Sequence, residues 1–317
     1  MAIYFVSAAS GSDVNSGLSE ALAWATVDKG MNTVAAGDKV WVKGDGDYAE
    51  LAGIDTIGTA TAPIIFEGYT TTTGDGGRAT ITGSGSRTNC ILQVVGGSSL
   101  YYVFKNFRFT NTTANAVSAT GGQLTFKNCK FDTAANNGLA CGMCVCEACE
   151  FSSNTLTGCL ASDGGIFIGC KFYSNTTDGL KSQGNSTVIF GCTFFSNAGI
   201  NINVGVGGEV SCIANCTVDG DGKDSDSGIS INSVFAMVAV VNTVLYDCTT
   251  GFTVPGGDMG ERVVSRNNLV NANTADYSNA ATFTGEITSA PQFTDEVAGA
   301  DYTPAVGSPL INAGLNG

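Results

Sequence analysis

Histidine is absent from the 317 residues, so no imidazole can act as general base, nucleophile activator or metal ligand. That excludes serine-hydrolase triads of the usual kind and ordinary zinc sites. Proline is scarce at 5, charged residues make up only 13%, and no apolar run approaches the length that spans a bilayer. Membrane insertion is therefore not expected. The N-terminus, Met1-Ala2-Ile3-Tyr4-Phe5-Val6, opens directly on strand-like alternation, with no basic segment, apolar segment and small-residue cleavage site ahead of it. This reading carries no secretion leader; a secreted protein whose leader has been removed is the alternative.

What is abundant is glycine, at 43, together with an apolar content of 43% that recurs in short regular runs, enough to bury a core but poor material for long helices. The 28 acidic against 14 basic residues give a formal charge of −14, which disfavours nucleic acid and acidic polymers unless a cation or a local basic groove intervenes.

The 12 cysteines are decided by their positions. A motif of the form apolar-x-(Asn/Gly/Ala)-Cys-x-Phe recurs as Phe126-Lys127-Asn128-Cys129-Lys130-Phe131, Cys146-Glu147-Ala148-Cys149-Glu150-Phe151, Phe167-Ile168-Gly169-Cys170-Lys171-Phe172 and Ile189-Phe190-Gly191-Cys192-Thr193-Phe194. The period of about 20 to 22 residues belongs to solenoids. Phe107 takes the cysteine slot in an earlier copy, Cys216 extends the series, and residues 240–244 and 265–269 read as degenerate later turns. A second run, Gly-apolar-x-apolar, lies between these, as in Gly179-Leu180-Lys181-Ser182 and Gly228-Ile229-Ser230-Ile231. Alternation in both runs means strands, and strands that recur once per turn stack into parallel sheets.

The expected fold is therefore all-β: a right-handed parallel β-helix, a solenoid with a short N-terminal capping helix. We expect a single domain over 1–317, with a cap and first coil at 1–45, coils at 46–285 and an irregular capping tail at 286–317. Thr26 is placed to cap a helix running to Val34. Cys129, Cys149, Cys170, Cys192 and Cys216 should stack inside as reduced, small apolar side chains, which suits folding in a reducing cytosol. Asn106, Asn128 and Asn215, with Ala148, Gly169 and Gly191, should form a column of corners, and Arg108, Lys130, Glu150 and Lys171 a solvated charge ladder outside.

These residues resemble the pectate-lyase-like right-handed parallel β-helix superfamily, which has bacterial and phage members. The likeness is carried by Tyr4-Phe5-Val6-Ser7 with residues 11–17, by Trp24-Ala25-Thr26, Ala36-Gly37-Asp38-Lys39-Val40-Trp41-Val42 and Gly46-Asp47-Tyr48, and by the closing motifs Ala290-Pro291-Gln292-Phe293 and Gly307-Ser308-Pro309-Leu310-Ile311-Asn312-Ala313-Gly314. Lyases of that superfamily set calcium-binding carboxylates and a Lys or Arg base on neighbouring coils. Lys181 resembles such a base, with Asp178 beside it and Asp163 about one coil earlier, though a dense acidic cluster is missing. Solvated structural residues are the plainer reading of all three.

Asp219, Asp221, Asp224 and Asp226 in a Gly-rich loop are candidate calcium ligands, with a plain solvated acidic loop the alternative. No cofactor beyond calcium is implied. Ile168, Tyr173, Phe190 and Phe195 suggest an exposed apolar strip for oligomer contact or for stacking on sugar rings. Two functional classes follow. The first is a non-catalytic β-helix component of a surface assembly, such as a phage virion decoration or fibre protein that binds glycans, assembled in the cytoplasm as a homo-oligomer or with capsid and tail proteins. The alternative is a polysaccharide lyase or glycoside hydrolase, calcium-dependent if a lyase.

Overall fold

A computed structural model of the chain describes residues 1–94, 100–184, 186–205, 210–220, 227–232, 237–254, 263–278, 283–284, 286–295 and 301–309. The chain divides into two compact units, Met1–Leu156 and Thr157–Gly317. Each is a parallel β-solenoid, as the repeat predicts, whose coils feed short strands into three ladders. Among the described residues no helix is long and apolar enough to cross a membrane.

In the second unit the first ladder comprises Cys159–Ala161, Leu180–Ser182, Ile202–Val204, Ile229–Ile231 and Thr250–Thr253. The second comprises Gly165–Ile168, Thr187–Phe190, Val210–Ala214, Met237–Val241 and Val263–Arg266. The third comprises Lys171–Tyr173, Thr193–Phe195, Thr217–Asp219, Val244–Tyr246 and Leu269–Asn271. Each strand pairs in parallel register with its counterpart one coil on, for example Phe172 with Phe194 and Phe194 with Val218.

The first unit repeats the scheme. Its second ladder starts at Ile3–Ser7 and Lys39–Lys43, and its third runs from Asp47–Tyr48 through Phe107–Thr110 and Lys130–Asp132 to Glu150–Ser152.

The corners explain why the repeat tolerates so few residue types. Asn106, Asn128, Ala148, Asn215, Asn242 and Asn267 all have φ between 51° and 59°, and Gly169 and Gly191 sit at 60° and 62°. This is left-handed backbone, which Gly and Asn enter most cheaply. A second left-handed corner follows the third ladder, at Thr133, Ser153, Ser174 and Ser196 among others.

Immediately after the first corner the cysteines turn inward, and all five of the column are buried and free of disulfides. They do more than fill space. Cys192 Sγ lies 3.5 Å from the carbonyls of Phe167 and Phe190 and 3.4 Å from the Cys170 N–H, so it satisfies corner backbone groups weakly. Further on, Thr243 takes the slot with its Oγ1 accepting from the Cys216 N–H, and Asn268 follows with Oδ1 accepting from the Thr243 N–H at 2.8 Å. Thiol, hydroxyl and amide occupy one column because each meets the same backbone demand.

Beside that column run stacked phenylalanines. Phe109, Phe131 and Phe151 stack in the first unit, at 5.2 and 4.8 Å between ring centroids, and Phe172 on Phe194 at 4.6 Å in the second. A third interior column was missed in the sequence. Asn197 is fully buried: Oδ1 accepts from the Asn175 N–H at 3.1 Å and its Nδ2 at 2.9 Å, while its own Nδ2 donates to the Phe172 carbonyl at 2.9 Å and to Asn201 Oδ1 at 2.8 Å. The available signal was the recurring Phe-x-Ser-Asn of residues 151–154, 172–175 and 194–197.

At the N-terminus the helix is Val27–Met31, shorter than the run to Val34 that the pattern predicts, because Gly30 and the Asn32-Thr33 turn interrupt it. Thr26 caps it, Oγ1 accepting from the Lys29 N–H at 3.1 Å. Glu50 accepts from the N–H groups of Val27 and Asp28, and burial raises its carboxyl pKa above the ordinary value. The Gly11-to-Trp24 signature has a steric origin. A Cβ on Gly11 would lie 2.0 Å from the Trp24 carbonyl, and one on Gly17, at φ +73°, 2.5 Å from the indole.

Outside the first unit, Arg108 pairs with Asp132 at 2.9 Å, Lys130 reaches Asp132 and Glu150, and Arg78 reaches Glu150 at 3.0 Å and Asn128 Oδ1 at 2.8 Å. These are structural cross-coil pairs of modest individual worth.

Candidate functional site

Lys181 stands on the outward row of the second unit's first ladder, in register with Leu160 one coil before it and Asn203 one coil after. It forms no hydrogen bond or ion pair with the described residues, Asp178 and Asp163 included. Asp178 is committed elsewhere: its Oδ1 accepts from the Ile200 N–H and its Oδ2 from Asn203 Nδ2, both at 3.0 Å. Asn203 in turn accepts from Asn232 Nδ2 at 2.7 Å. Asp178 thus ties one coil to the next.

Asp163 is exposed in the turn after Cys159–Ala161, three residues beyond the position that lies in register with Lys181. The three residues share a region of the fold but do not converge on one point. Asp219 is buried and accepts from the Tyr302 hydroxyl at 2.7 Å. Asp221, Asp224 and Asp226 lie outside the described residues. Of the four candidate calcium ligands only Asp219 lies among the described residues.

The four candidate apolar residues fall into two pairs. Ile168 and Phe190 end second-ladder strands and are exposed, at 42% and 47%. The left-handed corners at Gly169 and Gly191 then turn the chain, so that Tyr173 and Phe195 belong to the third ladder, where their rings stack at 4.9 Å and 3°. Phe195 is buried, with Tyr302 lying over it at 6.0 Å.

Tyr302 comes from an antiparallel hairpin, Phe293–Asp295 with Asp301–Pro304. The tail expected to be irregular thus has a regular element, and the hairpin packs on the third ladder. Phe293 buries itself with Val244 and Leu269, and Tyr302 meets it edge to face at 5.1 Å. Between hairpin and ladder lies a cleft of about 350 Å³. Its floor is the outward row Lys171, Thr193 and Thr217, its corner side is Gly191 and Asn215, and its far wall is Tyr302, Thr303 and Pro304, with Phe195 at the base.

The volume falls in the range of small-ligand sites. Hydroxyls, an amide, aromatic rings and a lysine converge there. Lys171 is exposed and forms no hydrogen bond or ion pair with the described residues. The sequence singled out Lys171 only as part of a solvated charge row and gave no sign of the cleft, because the hairpin that builds it lies outside the repeat.

Among solved structures the chain is similar to pectate lyase Pel9A, with a TM-score of 0.69 at 18% identity over 99% of this chain and 92% of that one. It is also similar to XylC in complex with xylose, with a TM-score of 0.60 at 9% identity over 93% and 88%. A rhamnogalacturonan lyase gives 0.56 at 16% identity over 85% and 72%. At such identities the likeness is one of fold, and it defines the class: a right-handed parallel β-helix of the pectate-lyase type. No family model matches the sequence, and no curated protein matches it.

Proposed function

We propose that this chain engages an acidic polysaccharide and that its chemistry is of the polysaccharide-lyase kind. The observation that carries the proposal is the cleft beneath the C-terminal hairpin. Its ionisable side chains, among the described residues lining it, are Lys171, Tyr302 and Cys192. An ammonium group can pair with a uronate carboxylate or, deprotonated, take the proton α to it. Hydrolysis by paired carboxylates would need two acids facing each other across the sugar, and the described lining offers none.

Thr193, Thr217, Thr303 and Asn215 match the alternating donors and acceptors of a saccharide, while Phe195 and Tyr302 match its apolar ring faces. Lys171 also places a positive charge at the cleft of a chain whose net charge is −14. The similar solved structures, a pectate lyase, a rhamnogalacturonan lyase and a protein in complex with xylose, favour this reading over a virion component.

The test is incubation with polygalacturonate, rhamnogalacturonan and xylan, each with calcium and with chelator, following binding and the ultraviolet absorbance of unsaturated uronate ends. We expect binding of an acidic polymer, with release of unsaturated ends, both lost in Lys171→Ala and kept in Lys181→Ala. Loss in Lys181→Ala alone would move the site to the first ladder. Absence of binding to every polymer would refute the proposal.

A further inference from the structure

We propose that the outward face of the second ladder in the second unit is a self-association surface, docking face to face on the same surface of a second copy of this chain. The five strands are Gly165–Ile168, Thr187–Phe190, Val210–Ala214, Met237–Val241 and Val263–Arg266. Their in-register pairing sets outward side chains in rows: Ile166, Val188, Cys212, Ala239 and Val264 form one, and Ile168, Phe190, Ala214 and Val241 the next. Val210 and Met237 begin a third and are exposed at 59% and 53%. Arg266, at one margin, is the only charged residue in these five strands.

This apolarity is not a general property of the ladder. In the first unit, outward positions of the second ladder carry Lys39, Glu67 and Lys105, with Lys39 and Lys105 paired to Glu67 at 3.0 and 3.6 Å, and Lys127 paired with Glu147 at 2.5 Å. The second ladders of the two units thus take opposite surface chemistry.

Three arguments select a second copy as the occupant. Apart from a thiol and a marginal guanidinium, the outward side chains of this face have no hydrogen-bonding group, so a saccharide laid on it would lose its bonds to water without replacement. Two copies that each carry −14 repel, and an uncharged face is where they approach at least electrostatic cost. The size also suffices. Five strands at ~4.8 Å spacing, each with a partly exposed outward row, offer about 600 Å² of accessible surface per copy, so that pairing removes about 1,200 Å², the lower bound of a specific interface. Flat parallel sheets meet this way at ~10 Å separation.

Sedimentation of the full chain from about 1 to 100 µM tests the proposal. We expect a dimer that persists or tightens in high salt, because no ion pair holds it together. Val188→Lys with Phe190→Lys should raise the dissociation constant at least about 100-fold, since two central apolar side chains are replaced by like charges. Thr125→Lys, on the outward row of the first unit's second ladder, should leave it unchanged. Circular dichroism establishes that each variant is folded, and Met237→Lys at a strand end gives the same readout if the double variant is not. A chain that stays monomeric throughout, or a dimer that neither set of lysines weakens, overturns the proposal.

Discussion

Replacing Asn197 separates two explanations of what holds the coils in register. Its amide makes four hydrogen bonds, at 3.1, 2.9, 2.9 and 2.8 Å, to groups of the preceding coil and of its own turn. At about 1 kcal/mol net per neutral bond, Asn197→Ala should cost about 4 kcal/mol. Asn197→Leu keeps the number and branching of the side-chain heavy atoms, with somewhat greater bulk, but removes the same four bonds, so it should cost at least as much. The assay is native-state hydrogen exchange, read at the amide of Asn175 and at neighbouring third-ladder amides. A local loss of this size speeds exchange on the order of 1,000-fold where opening is local. Tryptophan fluorescence serves as the control, because both tryptophans, Trp24 and Trp41, lie in the first unit. If Asn197→Leu exchanges nearly as slowly as the natural chain while Asn197→Ala does not, packing rather than polar satisfaction sets the register and the reasoning fails.

Three further outcomes are expected. Ala148 holds a left-handed corner, φ 52°, that Gly169 and Gly191 occupy elsewhere, so Ala148→Gly should stabilise the first unit by about 1 kcal/mol in urea denaturation. Of the 12 cysteines all but Cys212 are buried, and burial pushes the Cys90 thiol up to about 12. A thiol reagent should therefore label at most one group rapidly in the native chain, Cys212→Ser should abolish that labelling, and denaturation should release all twelve. Asp75 accepts from the N–H groups of Thr71, Thr72 and Gly77, which holds its carboxyl well below the ordinary 3.8. The order it gives the 70–77 turn is complete above pH 3.8 and is lost as pH falls toward the lower folded value; amide protection at Thr71 and Gly77 should follow that course, and Asp75→Ala should lack it at every pH.

The architecture was legible because the interior slots admit so few residues. A column that must be small and inward-facing after a left-handed corner admits Cys, and the ring two residues later admits Phe, so the period survives in the letters. The same strictness made Asn128, Ala148 and Gly169 readable as equivalents. The surface was less legible. Ile168 and Phe190 stood out because they flank the motif, but Val210 and Met237 join them only through registers that cross connections of unequal length. Tyr173 and Phe195 looked like part of the same strip because spacing along the chain does not record the turn at Gly169 and Gly191. The cleft was invisible for a related reason: its far wall is a hairpin with no copy elsewhere in the chain, placed by contacts among Phe293, Tyr302, Val244 and Leu269.

Interchangeable corners have a consequence for how such a chain can change length. Where Gly169 and Gly191 share one backbone conformation and open on matching strands 22 residues apart, the intervening segment is bounded by equivalent joints. Removing or duplicating that segment reconnects like with like, whereas the loss of a single residue inside a strand would turn the inward side chains beyond it in that strand outward. Such a protein is free to grow and shrink by whole windings, and by smaller steps only in the connections between strands, whose lengths already differ from coil to coil.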